Sequence, residues 1–294
     1  MFGRDRLYSD GMNAYLFLTF VGWTAAAMVV GAGVLQLIPR LGRMGGHVSE
    51  ALCRAPALDW VVTYFTMGPL LVGAILGGWR GLVGAVVGQV AGGMIWVGLH
   101  EAAHPAARRG PRIVKFHKRL GKAWRNMLAL WLTALATPIF WQVRLAEVFV
   151  WTPITWLVGL PRYRGAEWVN VSRHKFDGLI GHDLIWCLYC DWMTGVWSLA
   201  SEMLRNVESY WCPIRFYSEK KCANCAVDFP DINGGWVGAD GTMADVVSRM
   251  ESMYGGGQRG WFGHPARLTI NGEAVEKLEG AEAKAARNEE NVPV

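Results

Sequence analysis

"AYLFLTFVGWTAAAMVVGAGVLQLI", residues 14–38, runs for 25 residues without a charge. A helix needs about 20 apolar residues to cross the hydrocarbon of a bilayer, so this stretch predicts a transmembrane helix. A cleaved secretory signal is the competing reading. Its apolar core would be only about 7–15 residues long, and no small-residue cleavage site comes after the stretch, so the helix is expected to be retained. Residues 60–79 and 81–99 are two more uncharged stretches separated only by Arg80. They predict two further spans joined by a tight turn near Gly78–Arg80.

The composition fits an integral membrane protein of mainly α class. Of 294 residues, 52% are apolar and only 18% charged, against roughly 25% charged in soluble domains. Charge is also unevenly placed. Residues 101–125 carry eight cations (Arg108, Arg109, Arg112, Lys115, Lys118, Arg119, Lys122 and Arg125) against Glu101 alone. A basic loop beside a membrane helix marks the cytoplasmic face and suits anionic lipid. Aromatic interleaving is limited to Phe116 and Trp124, so no nucleic-acid partner is expected. With this loop inside, the 39–59 loop lies inside and the N-terminus outside, although Arg4 and Arg6 pull mildly the other way.

In the third stretch, four-residue spacing puts Gly84, Gly88 and Gly92 on one helix face, where another backbone can approach closely. The partner is either a neighbouring helix of the hairpin or a second subunit. Residues 127–160 are less regular. Gln142, Arg144 and Glu147 interrupt the apolar run, Pro138 and Pro153 interrupt helical hydrogen bonding, and Trp141, Trp151 and Trp156 suit the membrane interface. The segment reads as a fourth span or as a re-entrant or interfacial piece. The second reading is favoured because it keeps the C-terminal domain in the cytoplasm.

The expected organisation is a transmembrane anchor with a basic cytoplasmic loop over 1–126, then the ambiguous segment 127–161. A small helical Cys-rich extramembrane domain covers 162–254, and a flexible C-terminal segment covers 255–294. Within that last segment, "RLTINGEAV" (267–275) carries an Asn-Gly hairpin signal. In "DGTMADVVSRMESMY", Thr242 is placed to cap a helix with Asp245 three residues on.

Five of the six cysteines fall at Cys187, Cys190, Cys212, Cys222 and Cys225. Two C-x-x-C pairs are a common arrangement for thiolates that share a zinc ion or an iron–sulfur cluster. At 100° per residue, residues 183–207 form an amphipathic helix. Leu184, Leu188, Trp192, Val196, Leu199, Met203 and Val207 share one arc, and Asp183, Cys187, Cys190, Asp191 and Arg205 lie opposite. The first pair is thus expected on the polar side, with His174 and His182 as possible extra ligands.

A rival motif is "GLHEAAHP", with His100, Glu101 and His104. H-E-x-x-H on a helix presents two imidazoles for zinc and a carboxylate able to activate water. It resembles the first histidine box of membrane fatty-acid desaturases, but the further H-x-x-H-H boxes of that family are absent. It also resembles the zinc motif of site-2-type intramembrane proteases, where an Asp in a later Asp-Gly pair completes the metal site. Here that position is matched by Asp177 before Gly178. That resemblance implies a membrane zinc hydrolase with Glu101 as the catalytic residue and His100, His104 and Asp177 as metal ligands. Pro105 biases His104 away from helix.

The favoured expectation is an accessory or electron-transfer protein that docks a Cys-liganded zinc or iron–sulfur centre onto a membrane complex. The alternatives are the zinc hydrolase and a purely structural membrane subunit.

Overall fold

The computed structural model describes residues 2–228, 236–254, 268–270 and 273–274. The joint 255–260 and the tail beyond 274 lie outside them. The chain is mostly helical. Three helices are long and apolar enough to cross a membrane: Asn13–Arg40, Met67–Ala103 and Trp124–Val158. In chain order the helices are α1 (Phe2–Leu37), α2 (Gly42–Leu52), α3 (Ala57–Phe65), α4 (Met67–Ala103), α5 (Pro105–Arg109) and α6 (Ile113–His117). Then come α7 (Ala123–Thr133), α8 (Thr137–Ala146), α9 (Thr152–Val158), α10 (Gly165–Trp168), α11 (Gly181–Trp211), α12 (Glu219–Asp228) and α13 (Met243–Tyr254). The chain divides into two compact units that interleave along the sequence. One is Met1–Phe140 with Val169–Gly195, the other Trp141–Trp168 with Val196–Val294.

The first unit is built on glycine. At Gly78 the backbone takes φ 57° and ψ −148°, a conformation closed to most L-residues, and α4 folds back on itself there. Gly73 and Gly81 would be about 12 Å apart along a straight helix. Instead a Cβ on Gly73 would stand 2.5 Å from the Gly81 carbonyl oxygen. The expected turn near Gly78–Arg80 is therefore present, with arms 67–77 and 79–103 running antiparallel. α1 lies along the second arm. A Cβ on Gly84 would meet the Phe17 carbonyl at 2.8 Å, one on Gly88 the Val21 carbonyl at 2.7 Å, and one on Gly92 the Ala25 carbonyl at 2.9 Å. The Gly84/Gly88/Gly92 face is buried against α1 of the same chain. That corrects the expectation of a second subunit there: spacing reveals that a backbone comes close but does not identify whose backbone it is.

The join between α3 and α4 shows how a helix apolar enough to cross a membrane tolerates a break. Thr66 leaves helical geometry at φ −118° and ψ −86°. Pro69, three residues on, has no N–H for the Phe65 carbonyl. Gln89 on the opposing arm supplies the missing donor: its Nε2 donates to Phe65 O at 3.0 Å and Thr66 O at 2.6 Å. In hydrocarbon an unmatched carbonyl costs several kcal/mol, which accounts for a polar side chain in this apolar arm. Tyr64 adds a third tie, donating to Ala27 O of α1 at 2.7 Å.

From Ala123 to Val158 the backbone stays helical without reversing. A 3₁₀ turn at Ala134–Ala136 and a π-helical stretch at Glu147–Trp151 join α7, α8 and α9. Pro138 and Pro153 sit in the first turns of α8 and α9, where a missing N–H is harmless.

In the second unit, Arg144 and Glu147 form a buried ion pair at 2.6 Å. Asn206 of α11 donates to Tyr163 Oη at 2.7 Å. A three-stranded antiparallel sheet orders β1 (Arg162–Tyr163), β2 (Leu268–Ile270) and β3 (Glu273–Ala274), with Tyr163 opposite Leu268 and Ile270 opposite Glu273. α13 opens on a reciprocal cap: Asp245 N donates to Thr242 Oγ1, and Thr242 N donates to Asp245 Oδ2 at 2.7 Å.

Replacing Gln89 by Met should lower thermal stability in detergent by about 1–3 kcal/mol, the cost of leaving buried acceptors unmatched. Adding Pro69→Ala, which restores the Phe65 donor, should recover part of that loss. Equal stability of the single and double variants would contradict the pairing.

Candidate functional site

Every sequence motif with chemical potential in the first unit collects at one end of the bundle, the end opposite the Gly78 turn. Segments 39–59, 101–117 and 169–191 meet there. Ala55 N donates to Val169 O and Val171 N to Cys53 O, both at 2.9 Å, so residues 169–175 lie across the 53–55 turn as a strap. Asp191 of α11 holds the strap from the other side. Its Oδ2 accepts from Ser172 N at 2.8 Å and Arg173 N at 3.0 Å, and its Oδ1 pairs with the Arg173 guanidinium at 3.1 Å. Lys175 pairs with Glu50 at 2.9 Å.

Arg112 is the centre of this end. Its Nε donates to Asp183 Oδ2 at 2.7 Å, and its Nη2 donates to Glu101 Oε1 at 2.8 Å and Ile180 O at 3.2 Å. The Arg112 side chain is 3% exposed and that of Asp183 4%. Asp183 Oδ1 also accepts from Val114 N at 3.2 Å, and His182 Nδ1 lies 4.0 Å from it. The other ring nitrogen of His182 accepts from Trp186 Nε1 at 3.0 Å, so its Nδ1 carries the proton facing Asp183. Burial pushes the Asp183 carboxyl up. The hydrogen bonds from His182 and Arg112 outweigh this and hold it below its ordinary value. Burial likewise opposes charge on Arg112, and its bonds to Glu101 and Asp183 hold the guanidinium above its ordinary value.

This arrangement uses the H-E-x-x-H residues as ties. Glu101 is paired with Arg112. His100 Nδ1 accepts from Gly181 N at 3.1 Å, while its ring stacks on Trp96 at 4.7 Å and packs against His104 at 4.5 Å. His104 Nδ1 donates to His100 O at 2.8 Å. As Pro105 predicts, His104 is no longer helical, at φ −123° and ψ 65°. Asp177 is exposed, beside Gly178 at φ 75°.

The cysteines divide between the two units. Cys187 and Cys190 lie one turn apart on the first half of α11, both half-buried. Burial pushes the Cys187 thiol up, with the Arg173 charge pulling the other way. Arg173 is itself raised, chiefly by its hydrogen bond to Cys190. The sixth cysteine, Cys53, lies 3.8 Å from His174 Nε2. Its isolation in sequence, 121 residues from that histidine, left it outside the expected ligand set. In the second unit Cys212 is exposed and Cys222 Sγ donates to Phe216 O at 3.0 Å. Cys225 falls in the same helix as Cys222, its side chain lying outside the described residues. Among the described residues no three His, Cys, Asp or Glu side chains converge as metal ligands do.

The amphipathic arc of α11 is largely as expected: Leu184, Trp192, Val196, Leu199 and Met203 are buried. Asp183, Glu202, Asn206 and Ser209 are buried too. Glu202, Asn206 and Ser209 share the arc of Leu184 and Leu199, so that arc is not purely apolar; on the polar arc Asp183 is buried while Cys187, Cys190 and Asp191 are half-buried.

Arg112→Met leaves two carboxylates without their cation and should cost about 3–5 kcal/mol in detergent. Asp183→Asn should cost less, because Glu101 stays on Arg112. The depressed Asp183 pKa implies stability that is fully present above about pH 4, the unfolded value, and lost as pH falls through the folded one. Thermal unfolding of the wild type should weaken over that acid range, and Asp183→Asn should flatten the dependence.

The chain matches no known protein family, and no curated protein or solved structure was found to be similar to it.

Proposed function

We propose that the chain is an integral membrane accessory protein without hydrolytic activity, whose helical anchor positions an extramembrane helical domain for docking to a membrane complex. The observation that carries this reading is the use made of Arg112. It draws Glu101 and Asp183 into one buried cluster, so the carboxylate that would activate water in zinc hydrolysis ties the end of α4 to the start of α11. Three helices long and apolar enough to cross a membrane, with Trp23, Trp60, Ile75 and Leu76 exposed on them or beside them, supply the anchor.

A second reading adds electron transfer or metal storage, with zinc or an iron–sulfur cluster held by thiolates. It is favoured by the spacing of Cys187 with Cys190 on one helix and Cys222 with Cys225 on another.

Metal analysis of protein purified anaerobically in mild detergent separates these readings. The accessory reading predicts metal-free, colourless protein with no change on His100→Ala with His104→Ala. Visible absorbance, or zinc, lost on Cys187→Ser or Cys222→Ser would establish the metal-bearing form. Stoichiometric zinc lost on the paired His changes would overturn the accessory reading in favour of a hydrolase.

A further inference from the structure

We infer that the segment 124–158, though long and apolar enough to cross a membrane, lies along the membrane surface on the side of the basic loop, its apolar face in the interfacial region of an anionic leaflet. This inference rests on the chain being an integral membrane protein.

Chain closure leads to this placement. Arg112 contacts Asp183 and Ile180 O, Gly181 N reaches His100, and Val169 O accepts from Ala55 N. Residues 101–117 and 169–183 are therefore at the same end of the bundle. The chain leaves that end after His117 and has returned to it by Val169. If α7 to α9 crossed the bilayer, residues 159–168 would have to cross back. Four of those ten residues form α10, which advances about 6 Å. The other six reach about 20 Å when extended. The total falls short of the hydrocarbon core of about 30 Å. The return would also carry Arg162, Arg164 and Glu167 and irregular backbone through lipid, which the bilayer does not accept.

The side chains agree. Trp124, Leu128, Leu132, Leu135 and Ile139 form one exposed apolar stripe at helical spacing. The same stretch also packs on α11, through Trp131 against Trp186 at 5.4 Å and Tyr189 Oη donating to Thr133 O at 3.0 Å. α11 carries Asp183, Asp191, Glu202, Arg205 and Glu208, a load that keeps it out of hydrocarbon. A helix that exposes an apolar stripe and also packs on a polar helix belongs at the boundary between lipid and water. The exposed cations Arg108, Arg109, Lys118, Arg119 and Lys122 lead into it and match the headgroups of an anionic leaflet.

The test is sidedness of labelling in the full chain. Arg80→Cys, Lys118→Cys and Glu167→Cys are made singly in the otherwise native protein. Right-side-out and inverted vesicles are treated with a membrane-impermeant maleimide, and each modified cysteine is identified by peptide mass spectrometry. The expected result is that Lys118→Cys and Glu167→Cys react in the same vesicle orientation and Arg80→Cys in the opposite one. Labelling of Glu167→Cys together with Arg80→Cys would overturn the inference. Exposed Cys212 of the unsubstituted chain is a second readout free of any folding defect, expected to label with Lys118→Cys. Release of the native protein from membranes by alkaline carbonate would refute the membrane reading itself, an outcome distinct from either labelling pattern.

Discussion

The Arg112 guanidinium, removed from water between Asp183 and Glu101, is the contact on which the first unit depends. An isolated buried charge of this kind is untenable, and two carboxylates together with the Ile180 carbonyl make it acceptable. Its partners come from three places: the end of the second arm of α4, the residue before α11 and the first turn of α11. A cation expected to face cytoplasm or lipid is thus the buried link between a bundle of long apolar helices and an amphipathic helix, its carboxylate partner 71 residues further along the chain.

Within the bundle the organising constraint is the absence of side chains. Gly84, Gly88 and Gly92 let α1 approach at backbone distance, and Gly73 and Gly81 do the same for the two arms of α4. Lipid provides no hydrophobic drive for helices to associate, so close packing and interhelical hydrogen bonds do that work. The pair formed by Pro69 and Gln89 shows both effects. The proline removes a donor from one arm, and the glutamine of the other arm restores it while tying the arms together.

Much of this architecture is written locally and can be read locally. The uncharged run 14–38, the turn at Gly78 and the glycine stripe come from single segments, as do the buried arc of α11 and the Thr242–Asp245 cap. What was not legible is long-range. Angle on a helical wheel puts Asp183 with Cys187 on a polar face, but it does not reveal a cation from a distant loop that turns that position into core. Cys53 carries no motif, and only the strap brings His174 to it. His100, Glu101 and His104 satisfy a catalytic pattern in residue type. Pro105 follows the helix end at His104, and Arg112 pairs with Glu101, neither of which the motif itself announces. The two units also interleave through α8 and α11, which no composition shift along the chain announces.

The most direct measurement is a double-mutant cycle on Arg112→Met and Asp183→Leu, read as unfolding free energy of the full chain in detergent. If the two side chains form the buried link, their effects should couple by about 1–3 kcal/mol, the double variant being less destabilised than the sum of the singles. Additivity within about 0.5 kcal/mol would show that the two residues do not meet, and would contradict a buried link at Arg112.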